Sequence, residues 1–241
     1  MVTQPNAPAL ERRIRSLDWP RIEEELDTRG FALTGVLLDV QEREALSGAY
    51  GDDALYRSRV IMSRHGFGSG EYKYYAYPLP AVVAALRAAV YPYLVPVANR
   101  WAASLRLPEF PGTLSEMVER CHAAGQTRPT PLILRYAAGD YNCLHQDVYG
   151  ENVFPVQLTV LLSEPHRDFE GGEFLLVEQR PRKQSRAEVV VLGGGEGVLF
   201  SVSTRPVRGI RGTFRATMRH GVATVRAGQR TTLGVIFHEA R

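Results

Sequence analysis

The pair of residues in this chain best placed to do chemistry is His145 and Asp147, an imidazole and a carboxylate two positions apart. Side chains at i and i+2 of a β-strand share a face, so both can point at one spot. Two ligands do not hold a catalytic metal, and a third must return from elsewhere in the chain. His220, in the stretch from Thr217 to Val222, is the candidate. Two imidazoles and one carboxylate on a triangular face suit a divalent first-row ion and leave positions open for exchangeable ligands. An HxD pair by itself arises often by chance, and a solvated His beside a turn Asp is the competing structural explanation.

The surroundings favour the metal. After His220 come a strand, a Gly turn and a final strand ending near Phe237, and this last strand carries Arg230. A guanidinium there can clamp a carboxylate through two parallel hydrogen bonds, so an oxo acid is the cosubstrate this combination suggests. The pattern Tyr136-x-x-Gly139-x-Tyr141-x-x-x-His145-x-Asp147, followed by Glu170-Gly-Gly-Glu-Phe174, His220 and Arg230, resembles the 2-oxoglutarate/Fe(II)-dependent dioxygenases over about the last 110 residues. The stretches Glu71 to Pro78 and Leu233 to His238 place the resemblance nearest the bacterial branch predicted to modify nucleic acids, distantly similar to alkylated-base repair dioxygenases.

The resemblance implies a double-stranded β-helix (jelly-roll) core in an α+β fold, with N-terminal helices packed on its outside. It implies Fe(II) held by His145, Asp147 and His220 as the catalytic centre, 2-oxoglutarate held through its far carboxylate by Arg230 with help from the Tyr136 hydroxyl, and O2 at the remaining site. The reaction implied is hydroxylation of a substrate C–H, or demethylation where the carbon is an N-methyl group. DNA or RNA is the implied partner. A prolyl-hydroxylase-like protein or small-molecule hydroxylase is the alternative, since the Tyr-x-x-Gly spacing is shared with that branch. A metal-binding jelly-roll sensor is the non-enzyme alternative, and Arg230 speaks against it.

Bulk properties agree with this class without selecting it. With 241 residues the chain can bury one substantial core; a single domain over 1–241 is expected, residues 1–128 supplying helical support and a lid and 129–241 the catalytic core. The net charge of +3 permits an acidic partner but does not demand one. The two cysteines, Cys121 and Cys143, suggest no disulfide framework, and Cys143 is expected as a small buried residue near the His face. No signal-like start and no run of about 18 apolar residues is apparent, so a cytoplasmic protein free of membrane is expected.

The elements that must position the site follow from patterning. Residues 1–8 are expected to fray, and helices are expected from Ala9 to Arg29 with a break at Asp18-Trp-Pro20. A strand near Gly30 to Leu38 precedes a helix capped by Asp39. Residues 49–80 read as irregular, with the Tyr-rich, Gly-rich stretch 56–77 serving as a lid, as a surface for stacked bases, or as packing. Pro92 and Pro96 divide the segment after Leu79 into two helices, about 80–91 and 93–105. About eight strands follow Pro131, among them Pro155 to Leu162, on which Gln157 and Thr159 face one way and Leu158 and Val160 the other. His65 reads as a loop residue rather than a metal ligand, and His166 as a solvated loop residue. Arg205, Arg208, Arg211, Arg215 and Arg219 form the strongest local basic excess, either a charged edge ribbon or a rim for a nucleic-acid backbone.

Overall fold

The computed structural model describes residues 7–209 and 212–241. The stretch before Ala7, and Arg211 of the basic ribbon, lie outside the described residues. In chain order the elements are α1 (Ala7–Arg15), α2 (Trp19–Arg29), β1 (Phe31–Val36), α3 (Val40–Gly48), β2 (Tyr56–Ile61), β3 (Gly68–Ser69), β4 (Glu71–Tyr75), α4 (Ala81–Leu105), α5 (Leu114–Ala123), β5 (Leu132–Ala137), β6 (Tyr141–His145), β7 (Val156–Leu161), β8 (Phe169–Gly171), β9 (Phe174–Gln179), β10 (Arg186–Val190), β11 (Glu196–Ser201), β12 (Thr204–Gly209), β13 (Gly212–Val222) and β14 (Val225–Val235).

Local chemistry sets the helix boundaries. Asp18 accepts from the Arg21 amide at 3.1 Å and starts α2, with proline in its first turn, and Gly30 closes it at φ 80°. Asp39 and Glu42 form a reciprocal capping box at α3, and Thr113 and Glu116 another at α5. The expected break at Pro92 and Pro96 does not occur: α4 runs unbroken through both prolines. An interior proline costs about 3 kcal/mol. Here Val83, Leu86, Val90, Leu94, Val97 and Trp101 are all buried along the helix, and each such side chain contributes about 1.5–3 kcal/mol, so tertiary packing outweighs the local penalty. By length and composition alone the same helix is apolar enough to cross a membrane, but half of that apolar window is buried inside the protein and it carries the buried Arg87.

The strands form two antiparallel sheets. The larger has the order β1-β11-β7-β14-β5-β4-β2, with β8 on β14; the smaller has β10-β9-β13-β6-β3, with β12 on β13. Phe31, Leu161 and Phe200 of the first meet Phe174, Leu176 and Met218 of the second in the interior between them. The opposite face of the larger sheet, with Ile133, Leu158, Val160 and Leu233, packs on α4 and the other N-terminal helices. This is the jelly roll with outer helices that the sequence suggests. Among the described residues, ten strands lie beyond Pro131 where about eight were expected. The stretch 49–80, expected to be irregular, supplies β2 and β4, which extend the larger sheet beyond β5. Alternation along β7 is as read: all six residues are buried, Gln157 and Thr159 facing the cavity between the sheets and Leu158 and Val160 the helices.

Candidate metal centre and cofactor cavity

β5 and β6 are joined by a turn in which Gly139 has φ 91° and the Asp140 carboxylate accepts from the Ala137 amide at 2.8 Å and the Ser69 hydroxyl at 2.5 Å. The turn aims β6 along β13, where His145 pairs directly opposite His220. Their ring centroids are 4.1 Å apart. The register shifts between His220 and Val222, so β6 carries one extra residue there. Gly221 fills the tight place this makes: a Cβ on it would stand 2.7 Å from the Asn142 carbonyl oxygen.

Asp147 lies just beyond β6 and completes the group. Its Oδ1 is 3.6 Å from His145 Nε2, its Oδ2 is 3.3 Å from His220 Nε2, and the three ligand atoms lie within 4.8 Å of one another. His145 Nδ1 is 2.8 Å from the Cys143 carbonyl. A carbonyl only accepts, so Nδ1 holds the proton and Nε2 presents a lone pair. The Asp147 oxygens are each held from outside the triad. The Tyr149 hydroxyl donates to Oδ1 at 2.6 Å and Gln157 Nε2 to Oδ2 at 2.9 Å, while the Tyr74 hydroxyl donates to that of Tyr149 at 3.0 Å.

The electrostatics suit a cation. Burial alone would raise the Asp147 carboxyl, but the hydrogen bond and charge of His220, the charge of His145 and the Tyr149 hydroxyl outweigh it and hold the group well below the usual carboxylate range. Burial, then the neighbouring His220, lowers His145, which favours the neutral ring a metal needs.

The triad opens on a cavity of about 310 Å³ between the sheets. Arg230, Thr232 and Gly234, alternate residues of β14, line it, and Tyr136 faces Arg230 from the paired position on β5. Arg230 is 2% exposed. Its Nη1 donates to the Thr232 hydroxyl at 2.5 Å, its Nε has no partner, and no carboxylate pairs with it among the described residues. Burial lowers its pKa well below the ordinary arginine value, to about 10. Tyr136 is fully buried; burial pushes its hydroxyl up, and Asn142 donates to it at 3.2 Å. All five residues singled out in the sequence, His145, Asp147, His220, Arg230 and Tyr136, therefore line one cavity.

Other expectations change. Cys143 borders the cavity but is exposed rather than buried, because β6 edges the mouth there. Of the tyrosines between 56 and 77, Tyr72 and Tyr74 line the cavity, whereas Tyr56 and Tyr75 stack at 5.0 Å against the helical core. His65 and His166 are in loops, as read. Arg205 does not belong to a rim: it is buried, bonded to Glu178 and to the Asp27 and Thr28 carbonyls. Sequence reasoning missed Tyr149, though it follows Asp147 at the same i, i+2 spacing that singled out the triad.

Comparison with known proteins agrees with the geometry. Residues 70–240 match the family Oxygenase-NA, described as an oxygenase catalysing oxidative methylation of damaged DNA. Uncharacterised proteins from two strains of Mycobacterium tuberculosis are 45% identical over 197 residues, covering 81% of this chain and 79% of theirs. A prolyl-4-hydroxylase from Pseudomonas putida shares the fold at TM-score 0.55 and 15% identity, over 92% of this chain and 99% of that one. An oxidoreductase of the 2OG-Fe(II) oxygenase family from Burkholderia pseudomallei does so at TM-score 0.56 and 16% identity, over 92% of each chain. With a family match across most of its length, a jelly-roll fold and a two-histidine, one-aspartate group in its cavity, the chain belongs to the Oxygenase-NA family and is a 2-oxoglutarate/Fe(II)-dependent dioxygenase.

Proposed function

We propose that this single-domain, cytoplasmic enzyme hydroxylates, or oxidatively demethylates, an alkylated nucleic-acid base, with His145, Asp147 and His220 holding Fe(II) and Arg230 holding the far carboxylate of 2-oxoglutarate. The observation that carries the cofactor assignment is Arg230 itself. A buried guanidinium with one neutral partner and no counter-ion is costly, and a carboxylate presented in the same cavity removes that cost. The donor set of two imidazole nitrogens and one carboxylate oxygen on one face fits Fe(II).

When bound, the iron and the 2-oxo acid together with O2 supply the oxidising equivalent, releasing succinate and CO2 as oxygen is delivered to a substrate C–H. The chain positions and encloses. Tyr149 and Gln157 fix the Asp147 carboxylate, and the Cys143 carbonyl fixes the His145 tautomer. Tyr136, held protonated by burial, is the second donor beside Arg230. Tyr72, Tyr74, Leu132 and Leu134 form the wall that excludes water. The nucleic-acid substrate is supported by the description of the family to which the chain belongs.

The test is succinate formation from 2-oxoglutarate by anaerobically prepared, Fe(II)-loaded protein, with and without O2 and with oligonucleotides carrying methylated bases. Oxygen-dependent turnover stimulated by the oligonucleotides, and abolished in His145→Ala and Asp147→Ala, is expected. Turnover stimulated only by proline-containing peptides would overturn the substrate assignment.

A further inference from the structure

The chain between Met62 and Gly70 builds one side of the cavity mouth and is tied to β6. Gly68 and Ser69 pair with Asn142 and Tyr141 of β6, the Cys143 amide donates to the Phe67 carbonyl at 2.9 Å, and the His65 and Phe67 amides both donate to the carbonyl of the fully buried Met62, at 3.0 and 3.2 Å. Gly68 has φ 124°, and a Cβ there would stand 2.4 Å from the Tyr141 carbonyl oxygen, so the approach of loop and strand depends on it.

On this wall Phe67 lines the cavity and yet remains 47% exposed. The His65 ring stacks on it, centroids 5.4 Å apart and planes 23° from parallel. Arg64, next to His65 in the chain, is exposed and forms no ion pair among the described residues. A single exposed apolar residue calls for no explanation. An aromatic pair at a cavity mouth, tied by backbone hydrogen bonds and flanked by a guanidinium group without a counter-ion, is the combination that takes an unpaired nucleobase on its face and an adjoining phosphate on its charge.

We propose that Phe67 and His65 form a stacking platform for the nucleobase next in the strand to the one that is oxidised. The proposal rests on the nucleic-acid reading above. It also requires a single-stranded or locally opened substrate, because a neighbour stacked within a duplex has no free face to offer.

The experiment is a cycle read in KM on single-stranded oligonucleotides containing one methylated base. The nucleotide on each side of that base is replaced in turn by an abasic site, and each substrate is given to the wild type, Phe67→Ala and Phe67→Trp, with thermal unfolding confirming that the variants fold. Removing one neighbouring base should raise the wild-type KM by about tenfold, the scale of one base–aromatic stack. Phe67→Ala should show that rise already with the intact strand, lose nothing more at the abasic site, and be restored by Phe67→Trp. Additive losses would overturn the platform, as would an equal loss on the isolated methylated nucleoside, which would place the ring against the target base. If the wild type turns over no oligonucleotide, the nucleic-acid reading falls and takes the platform with it. If it does and the cycle is additive, only the platform falls.

Discussion

Arg230 sits in charged form where charge is expensive. Burial lowers its pKa from the ordinary arginine value to about 10. Below pH 10 it is protonated folded and unfolded alike, so the folded state bears the burial penalty in full at neutral pH, and that penalty is relieved only as pH rises above 10. Replacing it with Met should therefore act in opposite directions on stability and function. The ligand-free protein should gain about 1–2 kcal/mol in a urea titration, part of the relief being offset by the lost bond to Thr232. The KM for 2-oxoglutarate should rise about 100-fold, the scale of one truncated partner in a buried charge pair. A variant both less stable and unchanged in KM would remove Arg230 from the cosubstrate site. Tyr149 makes a separate case. Its hydroxyl holds Asp147 Oδ1, and Tyr149→Phe should weaken binding of Fe(II), or of Co(II) as a redox-inert substitute, by about 10-fold or more in anaerobic calorimetry. Tyr74→Phe, one bond further out, should cost less.

The triad is a consequence of how two strands meet. β6 and β13 place His145 against His220 only because the shifted register is accommodated at Gly221, whose missing Cβ leaves room for the Asn142 carbonyl. Gly221→Ala would press a methyl group against backbone, and the strands must part. Metal affinity should fall by at least tenfold, while Gly112→Ala, with nothing near the new Cβ, should leave it unchanged; equal affinities in both would detach the metal centre from this register. The same contrast explains what was legible in advance. His145, Asp147, His220 and Arg230 could be read because period-two spacing and residue chemistry are local properties of the chain. The faces of β7 could be read for the same reason. The continuity of α4 through Pro92 and Pro96 could not, because it is decided by partners from α1, α2 and the larger sheet. β2 and β4 were hidden because their burial depends on β5 beyond them, and their sequence is rich in Arg, Ser and Tyr rather than alternating.

Across the whole molecule, the four described arginines of the basic stretch divide by the geometry of one hairpin. Arg205 pairs across β12 and β13 with buried Ala216, so it faces inward, bonding to Glu178 and to the carbonyls that end α2. Arg208, Arg215 and Arg219 take the opposite alternation, between buried Val207, Ala216, Met218 and His220, and are exposed. Removing Arg205 leaves Glu178 buried with less compensation, so Arg205→Ala should destabilise the fold by about 3–5 kcal/mol. Neutralising Arg208, Arg215 and Arg219 to Gln should alter stability by no more than about 0.5 kcal/mol each. If a nucleic-acid strand runs over this face, the triple variant should also change how its binding responds to salt. The slope of log K against log salt for a single strand should fall by about 0.7 for each phosphate that is no longer neutralised. A slope unchanged in the triple variant would move the strand off this sheet face and leave the cavity mouth alone to hold it.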